Sequence, residues 1–135
     1  MIVLDASLAI AWLLREHQYG AADAYDLLAE SSFVVPSHWP IEIGNALRSN
    51  LRSGRISSDI VDTIAEYLEE FDIAIEPPIP LAEIRPLLHF AVAHELTVYD
   101  ATYVQLALQQ SASLATVDAE MRQAAGKLRI PLLPA

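Results

Sequence analysis

Four carboxylates stand out by their surroundings. Asp5 ends the apolar run Met1-Ile2-Val3-Leu4, and Asp118 ends Leu114-Ala115-Thr116-Val117. Asp100 opens the helical stretch Tyr99-Asp100-Ala101-Thr102-Tyr103, and Glu42 lies early in a helix that follows a second apolar strand. A carboxylate at the carboxyl end of a buried strand, facing a helix N-terminus, occupies the place that α/β proteins use for chemistry. Several carboxylates in one cleft raise one another's pKa and destabilise the fold. A divalent cation relieves that repulsion. Mg²⁺ or Mn²⁺ suits such a cleft, because hard cations take oxygen ligands and keep several waters. An ion of this kind activates water and stabilises the charge on a phosphate under attack, with no need of histidine or cysteine. Asn45, three residues after Glu42, shares its helix face, and Ser49 and Arg52 extend that side. Singly, each residue also suits a plainer role: the aspartates as helix N-caps, Glu42 and Asn45 as solvated helix residues.

The elements that must gather these acids alternate between short strands and helices. Apolar runs at Met1–Leu4, 33–35, 73–75, 114–116 and 130–133 read as five strands. Helices are expected over Leu8–Arg15, Ala21–Ala29, about Pro40–Arg52, the stretch after Ser57 or Ser58, about Glu83–His94, about Tyr99–Gln110, and from Asp118 or Ala119 to Gly126. The fourth of these carries Ile60, Val61, Ile64, Leu68 and Phe71 on one face and Asp59, Asp62, Glu66, Glu69 and Glu70 on the other. Pro36 closes the second strand, Gly54 stops the third helix, and Pro86 falls in the first turn of its helix, where it is tolerated. Gly126 is expected to end the last helix. Strands alternating with helices predict a parallel sheet covered on both faces, whose right-handed crossovers bring the strand ends to one edge. If the first and fourth strands are neighbours, Asp5 and Asp118 face each other.

Composition narrows the class. The 135 residues suit a single domain, and 53% are apolar, above the usual range. Part of that surplus is available as surface for a partner. There is no cysteine, which excludes disulfides and thiolate metal sites. No apolar run reaches about 18 residues, and Met1–Leu14 lacks a basic leader segment and contains Asp5, so a soluble cytoplasmic protein is expected, with neither membrane span nor signal peptide. The net charge of −10 counts against a surface that coats nucleic acid. It leaves room for a nucleic-acid enzyme whose acids hold cations, and it favours a basic protein partner. Seven of the eight basic residues are arginine, which suits bidentate phosphate contact. Arg48, Arg52 and Arg55 cluster after Glu42, either as a solvated helix end favoured by the dipole or as phosphate contacts. His17, His38, His89 and His94 lack zinc-type spacing and read as ordinary surface or half-buried residues. Trp12 and Trp39 read as core, with Trp12 also placed to help form a partner groove.

Four stretches, in this order, resemble the signature segments of PIN-domain ribonucleases: Ile2-Val3-Leu4-Asp5-Ala6-Ser7, Trp39-Pro40-Ile41-Glu42-Ile43-Gly44-Asn45-Ala46-Leu47, Thr97-Val98-Tyr99-Asp100-Ala101-Thr102-Tyr103, and Leu114-Ala115-Thr116-Val117-Asp118. The similarity is greatest to VapC-type toxins of toxin–antitoxin pairs and runs the length of the chain. It implies one PIN domain over 1–135, a three-layer α/β/α sandwich, and a five-stranded parallel sheet in the order 3-2-1-4-5. It implies that Asp5, Glu42, Asp100 and Asp118 form a catalytic metal site for Mg²⁺ or Mn²⁺. Ser7, Asn45 and Thr116 match supporting positions, while Tyr99 and Tyr103 match aromatic positions expected to pack. Glu120 is either an auxiliary acid or a solvated residue. Arg48 and Arg52 are the candidates for RNA contact. A cognate VapB-type antitoxin and a homodimer are further implications. The scarcity of lysine departs from the family's pattern.

The resulting expectation is a metal-dependent endoribonuclease, the toxin of a type II toxin–antitoxin pair, hydrolysing RNA by a metal-activated water. An alternative keeps the fold but places the nuclease in RNA processing without an antitoxin. A phospho-receiver of similar architecture needs a second acid beside Asp5, an aspartate after the third strand and a lysine after the fifth. The chain offers Ala6, Glu76-Pro77-Pro78, and Lys127 before the fifth strand. A haloacid-dehalogenase-type phosphatase needs an aspartate where Ser7 stands.

Overall fold

A computed structural model describes residues 1–19, 26 and 28–134. Its five strands, β1 (Ile2–Leu4), β2 (Ser32–Val35), β3 (Asp72–Ile75), β4 (Ser113–Ala115) and β5 (Leu132–Leu133), form one parallel sheet in the order β3-β2-β1-β4-β5. The helices are α1 (Ala6–Tyr19), α2 (Trp39–Arg52), α3 (Ser58–Glu70), α4 (Ile84–Ala93), α5 (Val98–Gln110) and α6 (Ala119–Lys127). A single 3₁₀ turn at Leu81–Glu83 precedes α4. Right-handed crossovers place α1 to α3 on one face of the sheet and α4 to α6 on the other. α1 packs on α2, and α5 packs on both α4 and α6. The expected three-layer α/β/α architecture and strand order are the ones observed.

The strands are short and buried between two helix layers, so they need no polar alternation. Val3, Leu4, Phe33, Val35, Leu114 and Ala115 are at most 1% exposed and join Leu13, Ile64, Tyr103 and Val104 from the helices in a common core. The strand order reverses between β1 and β4. Here Asp5 N donates to Ala115 O at 3.0 Å, continuing the β1–β4 pairing to the residue that follows β1.

Several boundaries differ from those expected. α1 begins at Ala6, directly after Asp5, and runs on to Tyr19. The expected helix over Ala21–Ala29 falls largely outside the described residues, although 28–30 are helical. β5 is confined to Leu132–Leu133 because Pro131 and Pro134 carry no N–H to donate to a ladder. Gly126 does not end α6. The helix continues to Lys127, and Arg129 takes the left-handed conformation (φ 58°), with its N–H bonded to Gly126 O and Ile130 N–H bonded to Ala125 O. Ser57 caps α3 as expected, accepting from Ile60 N. Gly54 (φ 77°) makes the turn between α2 and α3 in a region that disfavours side chains.

Candidate functional site

The site sits where the carboxyl ends of β1 and β4 meet, the place in a doubly wound sheet where the connections diverge and leave a crevice. Asp5 is 4% exposed. One of its oxygens accepts from Ser7 N at 3.3 Å and the other from the Thr116 hydroxyl at 2.9 Å. Thr116 is fully buried just past β4, and its oxygen also accepts from Asp118 N at 3.1 Å. One hydroxyl therefore ties together the two loops that carry Asp5 and Asp118. Arg122 on α6 donates to the Thr116 carbonyl at 2.8 Å and pins the same corner from behind.

Asp118 is the N-cap of α6, accepting from Met121 N at 2.9 Å. Asp100 is not a cap. Thr97 caps α5 and accepts from Asp100 N, which leaves the Asp100 carboxylate free to face the cleft from the first turn. Glu42 enters from the first turn of α2 on the other side. Trp39 at the start of that helix donates its indole N–H to Leu4 O at 2.8 Å, locking α2 to the residue before Asp5.

The acids feel one another. Burial raises the Asp5 pKa, and the charges of Glu42 and Asp100 raise it further against the lowering pull of its two hydrogen bonds. Burial likewise raises that of Asp100, reinforced by Asp118, Glu42 and Glu120. Burial also raises the Tyr103 hydroxyl pKa, with Glu42 and Asp5 adding to it, so the phenol stays neutral beside the acids. Expectation placed Tyr103 in packing, and it is 1% exposed in the core with its hydroxyl against the cleft. Glu120 is exposed and reaches the cluster only through its charge on Asp100.

His38 corrects the expectation that every histidine is ordinary. It lies four residues before Glu42 and forms an i,i+4 ion-pair contact with it through Nδ1. Its Nε2 meets the Thr102 hydroxyl at 2.8 Å, and its ring stands edge-on to both Tyr99 and Tyr103. Thr102 donates its single proton to Tyr99 O, so it accepts from His38 Nε2–H. The spacing to Glu42 was legible in the chain. The contact with Thr102, 64 residues away, was not.

The remaining candidates lie on the rim. Ser7 contributes its backbone N–H to Asp5 while the residue itself is exposed. Asn45, Arg48 and Arg52 are exposed along α2 beyond Glu42. Among the described residues, no three His, Cys, Asp or Glu side chains converge into a ready-made ion cage. The donor set nonetheless fits a hard cation that keeps most of its water, since such an ion takes only one or two carboxylates directly. Asp5, with Asp100 or Asp118, would supply those carboxylates. Tyr103 Oη, buried against the cleft without a hydrogen bond of good geometry, leaves a polar group for the ion's waters.

The model of the PIN domain family matches residues 2–127 of this chain. Ribonuclease VapC3 of Pyrobaculum aerophilum is 30% identical over 122 residues, which is 90% of this chain and 92% of that protein. The fold is also similar to the crystal structure of PAE2754 from Pyrobaculum aerophilum, with a TM-score of 0.67, 23% identity, and coverage of 97% of this chain and 81% of that one. Extended sequence similarity, strand order and the acids gathered at the sheet's switch point agree, and the chain belongs to the PIN domain family, in its VapC-type ribonuclease branch.

Proposed function

We propose that the chain is a metal-dependent endoribonuclease, the toxin of a type II toxin–antitoxin pair, working in the cytoplasm as one catalytic domain over 1–135. The observation that carries the chemistry is the buried Asp5, repelled by Glu42 and Asp100 at the sheet's switch point. Asp5, Asp100 and Asp118 hold Mg²⁺ or Mn²⁺, and Glu42 completes the acidic site. The bound ion supplies an activated water and charge stabilisation for phosphodiester hydrolysis. Thr116 and Ser7 fix the Asp5 carboxylate. His38 fixes Glu42. Asn45 lies along the approach over α2, and Arg48 and Arg52 contact RNA phosphates there. The similarity to Ribonuclease VapC3 supports RNA as substrate.

The partner reading follows from charge and apolar surface. The −10 net charge favours a basic antitoxin segment near the acidic cleft. Leu81, Ile84, Leu88 and Val92, spaced by three, four and four residues, form an exposed apolar stripe along α4 and the turn before it. That uncharged stripe is the face through which two copies form a homodimer.

The test compares partner-free protein with Asp5→Asn on total cellular RNA in Mg²⁺, Mn²⁺ or EDTA. Cuts with 5′-phosphate and 3′-hydroxyl ends, dependent on metal and absent from Asp5→Asn, are expected. Products ending in 2′,3′-cyclic phosphate would rule out attack by water.

A further inference from the structure

Beside the acid cluster, past the carboxyl ends of β2 and β3, lies a cavity of about 450 Å³. One wall is the α5 face carrying Thr102, Gln105 and Gln109, and the other is the proline-rich loop 77–80. Ser37, next to His38, also lines it. Thr102 lines the cavity and also accepts from His38, so the His38–Thr102 pair is the partition between cavity and acids. The loop wall is held in place. Glu76 N donates to Val35 O at 2.9 Å, Gln110 reaches the Glu76 carboxylate at 3.4 Å, and the prolines fix the backbone between.

The lining chemistry selects the ligand. Among the described residues no lysine or arginine lines the cavity, so it offers no cation to a phosphate. It offers apolar walls, two side-chain amides that both donate and accept, and the carboxylates of Glu76 and Glu83. Its volume lies within the range of small-molecule sites, about 300–1,000 Å³. We propose that this cavity receives an unpaired base of the RNA strand beside the scissile phosphate, one bearing an exocyclic amino group: adenine, cytosine or guanine. The proposal rests on the ribonuclease reading above. Gln105 and Gln109 read the base edge as amides do. Glu76 and Glu83 accept from the amino group, which uracil lacks, so the carbonyl oxygens of uracil would face these acceptors. The base lies flat between the prolines and α5, and the strand then passes over the His38–Thr102 partition to the acids.

Two measurements test this on the full chain, with wild type, Gln109→Ala and Gln105→Ala/Gln109→Ala. Both glutamines are at least partly exposed, and alanine favours the helix, so the variants fold. First, a randomised single-stranded RNA is digested with Mg²⁺ and the cut ends are sequenced. Wild type should disfavour uracil at one fixed position from the cut by roughly tenfold, and the double variant should flatten that preference whatever its total rate. An unchanged preference overturns the proposal and leaves the nuclease reading standing. Second, anisotropy in EDTA compares labelled oligo-adenylate and oligo-uridylate. Tighter binding of oligo-adenylate, lost in the double variant, supports the base site even if no RNA is cut, which isolates failure of the nuclease reading. Equal binding of the two oligomers by wild type overturns the proposal. Loss of antitoxin binding in the variants with unchanged RNA preference would assign the cavity to the protein partner and also overturn it.

Discussion

Thr116 is the residue on which the acid site turns. Its hydroxyl donates to Asp5 and accepts from the Asp118 backbone, and it is fully buried. Thr116→Val keeps the shape and leaves Asp5 short of one hydrogen bond in a buried place. The expected outcome is a stability loss of about 1–3 kcal/mol by urea unfolding, with metal affinity by calorimetry lower by roughly 10–100-fold. His38 acts on Glu42 from the other side of the cleft. His38→Ala frees the Glu42 carboxylate and leaves Thr102 without its donor. It should lower the cleavage rate by about tenfold, the lower end of what supporting residues cost, while the structural signal in circular dichroism is unchanged. A rate equal to wild type would mean that Glu42 needs no such holder.

At the scale of the elements, α2 matters through its first residue. The Trp39 indole reaches Leu4 O, so the helix bearing Glu42 cannot slide relative to the strand bearing Asp5. Trp39→Phe removes that bond and leaves a buried carbonyl with one partner fewer. A loss of about 1–3 kcal/mol is expected from the shift in urea midpoint, accompanied by weaker metal binding as the two acids lose register. α5 is bound as tightly to the site. Thr97 rather than Asp100 caps it, which spares a carboxylate that a simple N-cap would have consumed.

For the whole molecule, the gathered acids set a pH dependence opposite to that of salt-bridged carboxylates. Asp5 and Asp100 have folded pKa values above the ordinary 3.8. Between the unfolded and the raised folded value, the native state binds more protons, so the metal-free protein loses stability as pH rises through that window. Asp100→Asn removes one contributor. In EDTA, the stability of wild type minus that of Asp100→Asn should fall from about pH 4 upward and level off above the folded pKa. A flat difference would mean that neither burial nor the neighbouring acids raise the Asp100 pKa. At neutral pH, saturating Mg²⁺ should reverse the penalty, stabilising wild type by about 2.7 kcal/mol at one hundred times Kd, and by less in Asp100→Asn. The apolar stripe bears on assembly. Leu88 is 46% exposed, so Leu88→Asp should leave the fold intact and halve the mass seen by light scattering. An unchanged mass would place the dimer contact elsewhere or show that none forms.

Local pattern sufficed for much of this protein. Short apolar runs between amphipathic stretches specify buried strands and covering helices, because burial on both faces needs no polar alternation. The acids at the strand ends were legible because Asp5 and Asp118 sit where an apolar run stops. The end of α6 was not, since a left-handed Arg129 in place of a glycine depends on what the following segment packs against. Contacts between distant residues were likewise hidden. Trp39 on Leu4 O, Thr116 on Asp5 and His38 on Thr102 join residues 35, 111 and 64 positions apart. Hydrogen bonds of this kind are decided by the sheet's register and by how the helices lie across it, and neither is written in any one stretch of chain. The sequence alone determined which residues carry charge at the sheet's edge. The tertiary structure decided which of them are buried, which are already spent as caps, and which neighbours hold the rest in place.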